Sequence, residues 1–442
     1  MLRASTFVAI TIAITGLLGS ALYAQNADFD RYWPTWRGPG AIGISTTANP
    51  PIEWSETKNV RWKVEIPGRG HSSPIVWGDR VYLTTAVPTG VTGAAQHAPR
   101  GTLAQRGMHK FVVMALDRKT GKTVWERVAR EAEPHERSHV DNGTWASSSP
   151  FTDGQRLYAY FESFGLYAFD MNGTLLWEKD LGDKRMRNEF GEGSTPALHG
   201  NTIVVVWDHL NGESFIAALD KRDGKELWRQ PRKEIDTWAT PLILDVNGRP
   251  QAIVPAMERI RSYDLATGEV VWESKGLTMN AIPSPVHDGN GLVILMSGFR
   301  GNDLKAIRVA GAKGNIDGTS AIVWGFDRDT PYVPSPILVD GVLYFLKSNS
   351  GILSAFDAKT GKPHYQNQRL ESVPNVFSSP VSARGRIYVT GQEGSTIVIK
   401  SGPAYEVLAT NHLDDGFDAS PALVDNEMFM RGRTFLYAIA TQ

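Results

Sequence analysis

The 442-residue chain contains no cysteine. That absence excludes disulfides, a lipid-modified cysteine behind a leader, haem attachment and thiolate metal sites. An excess of either charge is also missing: 46 Lys and Arg stand against 47 Asp and Glu, a formal net charge of −1. No basic run occurs, so neither a nucleic-acid backbone nor an anionic membrane surface finds an electrostatic footprint. Long apolar runs are lacking as well. The stretch Phe7 to Leu18 has 12 residues, short of the ~20 that a membrane-spanning helix needs. With Arg3 ahead of it and small residues behind, it has the shape of a secretory signal peptide. Residues 1–24 are therefore set apart from the fold, with cleavage after Ala21 or Ala24. The mature chain is expected to be periplasmic or secreted, monomeric, and without lipid anchor or transmembrane span.

What the chain does have is turn formers and rings: 43 Gly, 25 Pro, 13 Trp, 13 Tyr and 17 Phe. This composition suits a turn-rich β protein. The clearest unit is residues 331–365, PYVPSPILVDGVLYFLKSNSGILSAFDAKTGKPHY. Short β-branched and aromatic runs separated by turn signals make it a four-stranded antiparallel meander.

A Ser/Thr-Pro pair opens such a unit at Pro74, Pro150, Pro196, Pro241, Pro285, Pro336, Pro380 and Pro421, in steps of 76, 46, 45, 44, 51, 44 and 41. The outermost strands carry Trp125, Trp177, Trp228, Trp272, Trp324, Tyr365 and Val407. The eighth unit stops after three strands, and the orphan strand around Trp62 supplies its fourth. Pairing the first strand with the last closes a ring and removes open edges. The fold class is all-β, an eight-bladed β-propeller of four-stranded antiparallel blades, covering residues 59–442. Residues 25–58, including Trp33-Pro34-Thr35-Trp36-Arg37-Gly38-Pro39-Gly40, have no periodicity and read as a strap lying across that body. The turns at Asp117, Asp220, Asp264 and Asp357, with a shorter one at Asp170, share one design. An Asp accepts backbone N–H bonds while a Gly takes the left-handed position. The Trp series is expected to pack between neighbouring blades.

The repeated A-x-D-x-x-T-G-x-x-x-W, seen as Ala115 to Trp125, resembles the repeat of PQQ-type (quinoprotein-like) propellers across essentially the whole mature chain. Trp36-Arg37-Gly38-Pro39, Ser72-Ser73-Pro74 and Ala419-Ser420-Pro421 are similar to a large group of exported bacterial PQQ-like repeat proteins. The superfamily includes quinoprotein alcohol dehydrogenases, which use pyrroloquinoline quinone with Ca²⁺, and the non-catalytic B-subunit lipoprotein of the outer-membrane assembly machine. The motif is specific for fold and weak for activity, because its residues build turns and blade contacts. The catalytic branch typically carries a vicinal Cys-Cys disulfide over its cofactor. This chain cannot form one.

Geometry indicates where a site would lie. The residue three before each Pro falls near the channel: His71, Ser147, Gly193, Trp238, Ile282, Val333, Phe377 and Asp418. Closure makes His71 and Asp418 neighbours. A His held by a carboxylate is a candidate general base, but the favoured reading is a hydrogen bond sealing the ring, since seams need satisfied polar groups. Trp238 either floors a planar ligand or plugs the channel. Residues 87–110 and 130–145 exceed the repeat, the second with His135, His139 and Asn142. A smaller insertion, 300–319, holds Asn302 and Asp303. His139, Asn142, Asn302 and Asp303 join Trp238 as candidate cofactor contacts, and no metal site is assigned. Two readings follow. One is an exported binding or scaffold module that offers its channel mouth and loops to a protein or small molecule and needs no cofactor. The other is a PQQ- and Ca²⁺-dependent dehydrogenase of alcohols or sugars without the disulfide.

Overall fold

The Ser/Thr-Pro steps begin the innermost strands of eight blades: Ile75–Trp77, Phe151–Thr152, Ala197–His199, Leu242–Val246, Val286–His287, Ile337–Val339, Val381–Ala383 and Ala422–Val424. A computed structural model describes residues 28–89, 106–139 and 143–441. The signal-peptide expectation and Asn142 lie outside the described residues, as does much of the 87–110 insertion. Each blade is a sheet of consecutive antiparallel strands. The eighth is completed by Val60–Glu65, which pairs with Phe435–Ala440 in the register Trp62↔Ala438 and Val64↔Leu436. Among the described residues, no helix is long and apolar enough to cross a membrane.

The apolar core lies between blades. Phe326 of blade five meets Phe345 and Phe356 of blade six at ring separations of 6.1 and 4.9 Å, the edge-to-face contact aromatic quadrupoles favour. The tryptophans fasten adjacent blades at the outer rim. The indoles of Trp62, Trp125, Trp177, Trp228 and Trp324 donate to the backbone carbonyls of Arg118, Met171, Lys221, Leu265 and Ala358 at 2.8–3.2 Å, each in the turn of the next blade. Glycine is required in that turn for two reasons. Gly224 has φ +71°, and a Cβ there would stand 2.8 Å from the Trp177 ring.

Two sheets gain a fifth strand that the repeat does not contain. Gly314–Asn315, from the 300–319 insertion, pairs in parallel with the outer strand of blade four. Trp272 beneath it is fully buried, and the open edge is covered. Ile44–Ser45 of the strap pairs in parallel with Val381–Ala383. The strap reaches four inner strands in turn. Trp33 exchanges backbone bonds with Val76, Pro34 O accepts from Thr152, Arg37 Nη2 donates to Pro336 O, and Gly43 O accepts from Ser382. These belong to blades one, two, six and seven, so the segment crosses one end of the channel.

Candidate ligand site in the propeller channel

The Ser or Thr before each blade-opening Pro forms a ring around the axis. The backbone N–H of Ser73 donates to the hydroxyl of Ser149, and Ser149 donates to Thr195. Thr240 donates to Ser284, Ser284 to Ser335, Ser335 to Ser379, Ser379 to Ser420 and Ser420 back to Ser73. Seven of the eight residues spend their amide on the next blade, and the following Pro has no N–H to offer. All eight are buried. The Ser/Thr-Pro signature is thus a circumferential tie as well as a strand start.

Above this ring is a cavity of about 380 Å³. All eight residues three before Pro line it, half-buried where the ring residues are buried, so the cavity opens on their side. Trp36 of the strap lines the opposite end. Below it Arg37 is wholly buried, with its Nε and Nη1 unpartnered among the described residues. Burial depresses its guanidinium to about 9.

His71 and Asp418 meet, Nε2 to Oδ2 3.4 Å. Asp418 also accepts from Arg433 Nε at 2.8 Å and from Gln392 Nε2 at 2.5 Å. Burial lowers His71 to about 4, opposed by Asp418 and reinforced by Arg69, Arg433 and Arg431. The imidazole is therefore neutral at neutral pH; burial opposes the charge of Asp418, and the bonds from Arg433 and Gln392 keep it a carboxylate. Trp238 donates its indole N–H to Gly191 O at 2.8 Å, and its ring passes over Gly193. The ring is fixed across the wall of the cavity. His139 lines the cavity too, edge-on to Phe190 at 5.7 Å.

Asn302 and Asp303 lie elsewhere. Asn302 Oδ1 accepts from Thr330 N and Oγ1, and Asp303 pairs with Lys305 at 2.9 Å. Both are committed to loop and strand structure, and neither is among the residues lining the cavity.

Sequence reasoning missed the residues that give the cavity its character. Glu192, Phe190, Phe299 and Tyr332 line it, and Phe299 stacks on Tyr332 at 4.6 Å. Glu192 and Tyr332 stand four before Pro196 and Pro336, so a wider window on the same register would have found them. Nothing local would have found Lys184 and Glu162, which meet beneath Glu192 as a buried ion pair. Glu162 sits at φ +56° in a turn between two strands of blade two.

Pyrroloquinoline quinone is a polycarboxylate, and its Ca²⁺ needs acidic oxygen ligands. The described lining residues include no Lys or Arg, and no group of three or more His, Asp or Glu capable of holding a metal occurs among the described residues. Asp236, two residues before Trp238, is already matched by Arg187 at 2.7 Å. The donor set does not fit the quinone and its cation.

Eight radial sheets, each built on four antiparallel strands, around a hydroxyl-tied channel define a PQQ-type β-propeller. A family model described as "Outer membrane protein assembly factor BamB" matches residues 42–206, 109–367 and 212–439. The chain belongs to that family. A curated protein of that name from Francisella salina is 28% identical over 102 residues, 23% of this chain and 18% of the relative. The chain thus matches less than a fifth of that relative's length. BamB from Moraxella catarrhalis superposes with a TM-score of 0.55 at 13% identity, over 86% of this chain and 99% of the other. Quinohemoprotein alcohol dehydrogenase from Comamonas testosteroni gives 0.53 at 11% identity, over 94% and 81%. ADHIIG of Pseudomonas putida HK5 gives 0.57 at 12% identity over the same shares. At these identities the likeness is one of fold.

Proposed function

We propose that this chain is an exported binding module of the assembly-factor type, whose ligand enters the channel at the rim marked by His71, Trp238 and Asp418. The observation that carries this reading is the cavity: about 380 Å³, crossed by the strap at one end, open at the other, and walled by rings and small hydroxyls. Pockets of this size and lining suit a small, partly apolar ligand. A scaffold role alongside a protein partner is compatible with the same mouth. His71 and Asp418 act here as a seam between blades one and eight, because Arg433 and Gln392 already occupy the carboxylate and the depressed imidazole is a weak base at neutral pH.

The dehydrogenase reading is supported only by fold, and the lining charge opposes it. Calorimetric titration of the mature chain with pyrroloquinoline quinone, with and without Ca²⁺, separates the two. The expected result is no binding heat and no reduction of an artificial dye with alcohols or sugars. Micromolar, Ca²⁺-dependent binding that weakens in Trp238→Ala and Asp418→Asn would overturn the proposal. N-terminal sequencing of the exported product tests removal of residues 1–24.

A further inference from the structure

One side of the channel wall is short of a cation. Lys184, 1% exposed, is in contact with Glu162 and lies 3.6 Å from Glu192. Glu162 has a further donor in Ser148 Oγ at 2.8 Å. Among the described residues, Glu192 has only the Ser163 N–H at 3.2 Å beside the shared lysine. The nearby Asp208 is matched by Arg232, with both side chains fully buried and bonds of 2.7 and 3.0 Å. One ammonium thus serves two carboxyl groups, and Glu192 is the one that also faces the cavity. Burial and the charge of Glu162 push Glu192 up to about 8 against the pull of Lys184. Tyr160 Oη is buried and unpartnered among the described residues, and it lines an adjoining hollow with Glu162 and Glu192.

Aromatic rings line the same cavity as that carboxyl, with Trp238 and Phe190 beside it. Phe190 and Glu192 flank Gly191, whose carbonyl holds the Trp238 indole. Phe299, Tyr332 and Phe377 continue the wall. Aromatic faces attract cations, more strongly when both are withdrawn from water. The arginines around the channel are turned to other partners. Arg433 holds Asp418, Arg431 donates to Ser72 and to Thr84 O, and Arg37 lies beneath Trp36 bonded to carbonyls. None of them, nor Arg69, is among the lining residues.

We propose that the channel binds a small organic cation, an ammonium carried on a compact apolar body, with its charge between the Trp238 ring and the Glu192 carboxylate. This rests on the binding-module reading and names the ligand class. A cation at that point supplies the counterion Glu192 lacks, so the carboxyl gives up its proton on binding at neutral pH. Among the described residues, the other titratable groups facing the space are His139, Tyr332 and the His71–Asp418 pair. Lys184, Glu162 and Tyr160 lie behind Glu192.

The test is calorimetry on the mature chain at pH 7 with choline, benzylamine and the uncharged choline isostere 3,3-dimethylbutan-1-ol. Each is titrated in two buffers of different ionisation enthalpy. The expected result is that a cation binds at least tenfold more tightly than the isostere, with a heat that depends on the buffer because a proton is released. Glu192→Gln should remove the buffer dependence and most of the preference for charge. It should leave the isostere unchanged, which also reports that the cavity is intact. Equal affinity for choline and its isostere, or buffer-independent heats in the wild type, would overturn the cation proposal while leaving a binding module standing. No heat from either cation also overturns it. Quenching of Trp238 fluorescence by other small molecules then decides whether the binding reading survives.

Discussion

Arg118 Nε lies 2.5 Å from Glu427 Oε2, joining the first blade to the last across 309 residues. Arg61, on the strand that completes blade eight, reaches the same carboxylate, and Arg118 also reaches Asp425, which pairs in turn with Arg31 of the strap. The network bolts strap, closing strand and both seam blades together. Glu427 is 10% exposed at its side chain and Asp425 36%. Removing the better-buried carboxylate leaves two guanidinium groups without their shared partner. Glu427→Gln is therefore expected to lower stability by about 2 kcal/mol or more, and Asp425→Asn by under about 1 kcal/mol. Urea unfolding at fixed ionic strength ranks the two, and equal effects would remove Glu427 from its place as the lock.

The Trp–Gly contact predicts a difference between two glycines of similar backbone geometry. Gly200 has φ +57° with nothing within 4 Å of an added Cβ, whereas at Gly224 (φ +71°) that atom meets the Trp177 ring at 2.8 Å. Gly200→Ala should cost about 1 kcal/mol, from backbone strain alone. Gly224→Ala should cost about 2–3 kcal/mol, because the ring must also move. Thermal unfolding of the pair measures the steric share. Matching losses would mean that the interface yields freely.

Glu192 sets a pH dependence of its own. Its folded pKa is raised above that of the unfolded chain, so its protonated form favours folding. That contribution is present below about 4.5 and is lost as pH rises toward about 8. Glu192→Gln keeps the neutral form at every pH. Its stability should therefore gain on the wild type between pH 5 and 8, by an amount on the order of 2 kcal/mol at the upper end, read from urea unfolding across that range. A constant difference across that range would contradict the assignment of a buried, neutral carboxyl.

His71 works in the opposite direction. Its folded pKa, about 4, lies below the ordinary 6.5, so the unfolded chain takes up the proton first. Stability present above about 6.5 is lost as pH falls toward about 4. His71→Gln should flatten this limb relative to the wild type, by on the order of 2 kcal/mol at pH 4. Differential melting curves between pH 7 and 4 measure it, and a mutant whose curve parallels the wild type would show that the imbalance lies in other buried histidines.

The blade count, the turn chemistry, ring closure at Trp62 and the channel register were legible in the sequence, because each is written locally and repeated. A Pro that cannot donate, a Gly forced to positive φ and an Asp capping the turn recur at nearly constant spacing, and any one copy explains the others. His71 and Asp418 could be paired in advance for the same reason, since closure follows from counting strands. Asn302 and Asp303, singled out as candidate cofactor contacts in an insertion, lie outside the cavity, and Thr330 and Lys305 claim them. Tertiary structure alone decided that Trp36 faces the cavity from the strap side, with Arg37 buried beneath it. It also decided that Lys184 is shared by Glu162 and Glu192. These residues come from the strap, a turn and an inter-blade loop that share no periodicity. Their proximity depends on how the ring brings distant segments together, and the charge left unbalanced at Glu192 arises only there.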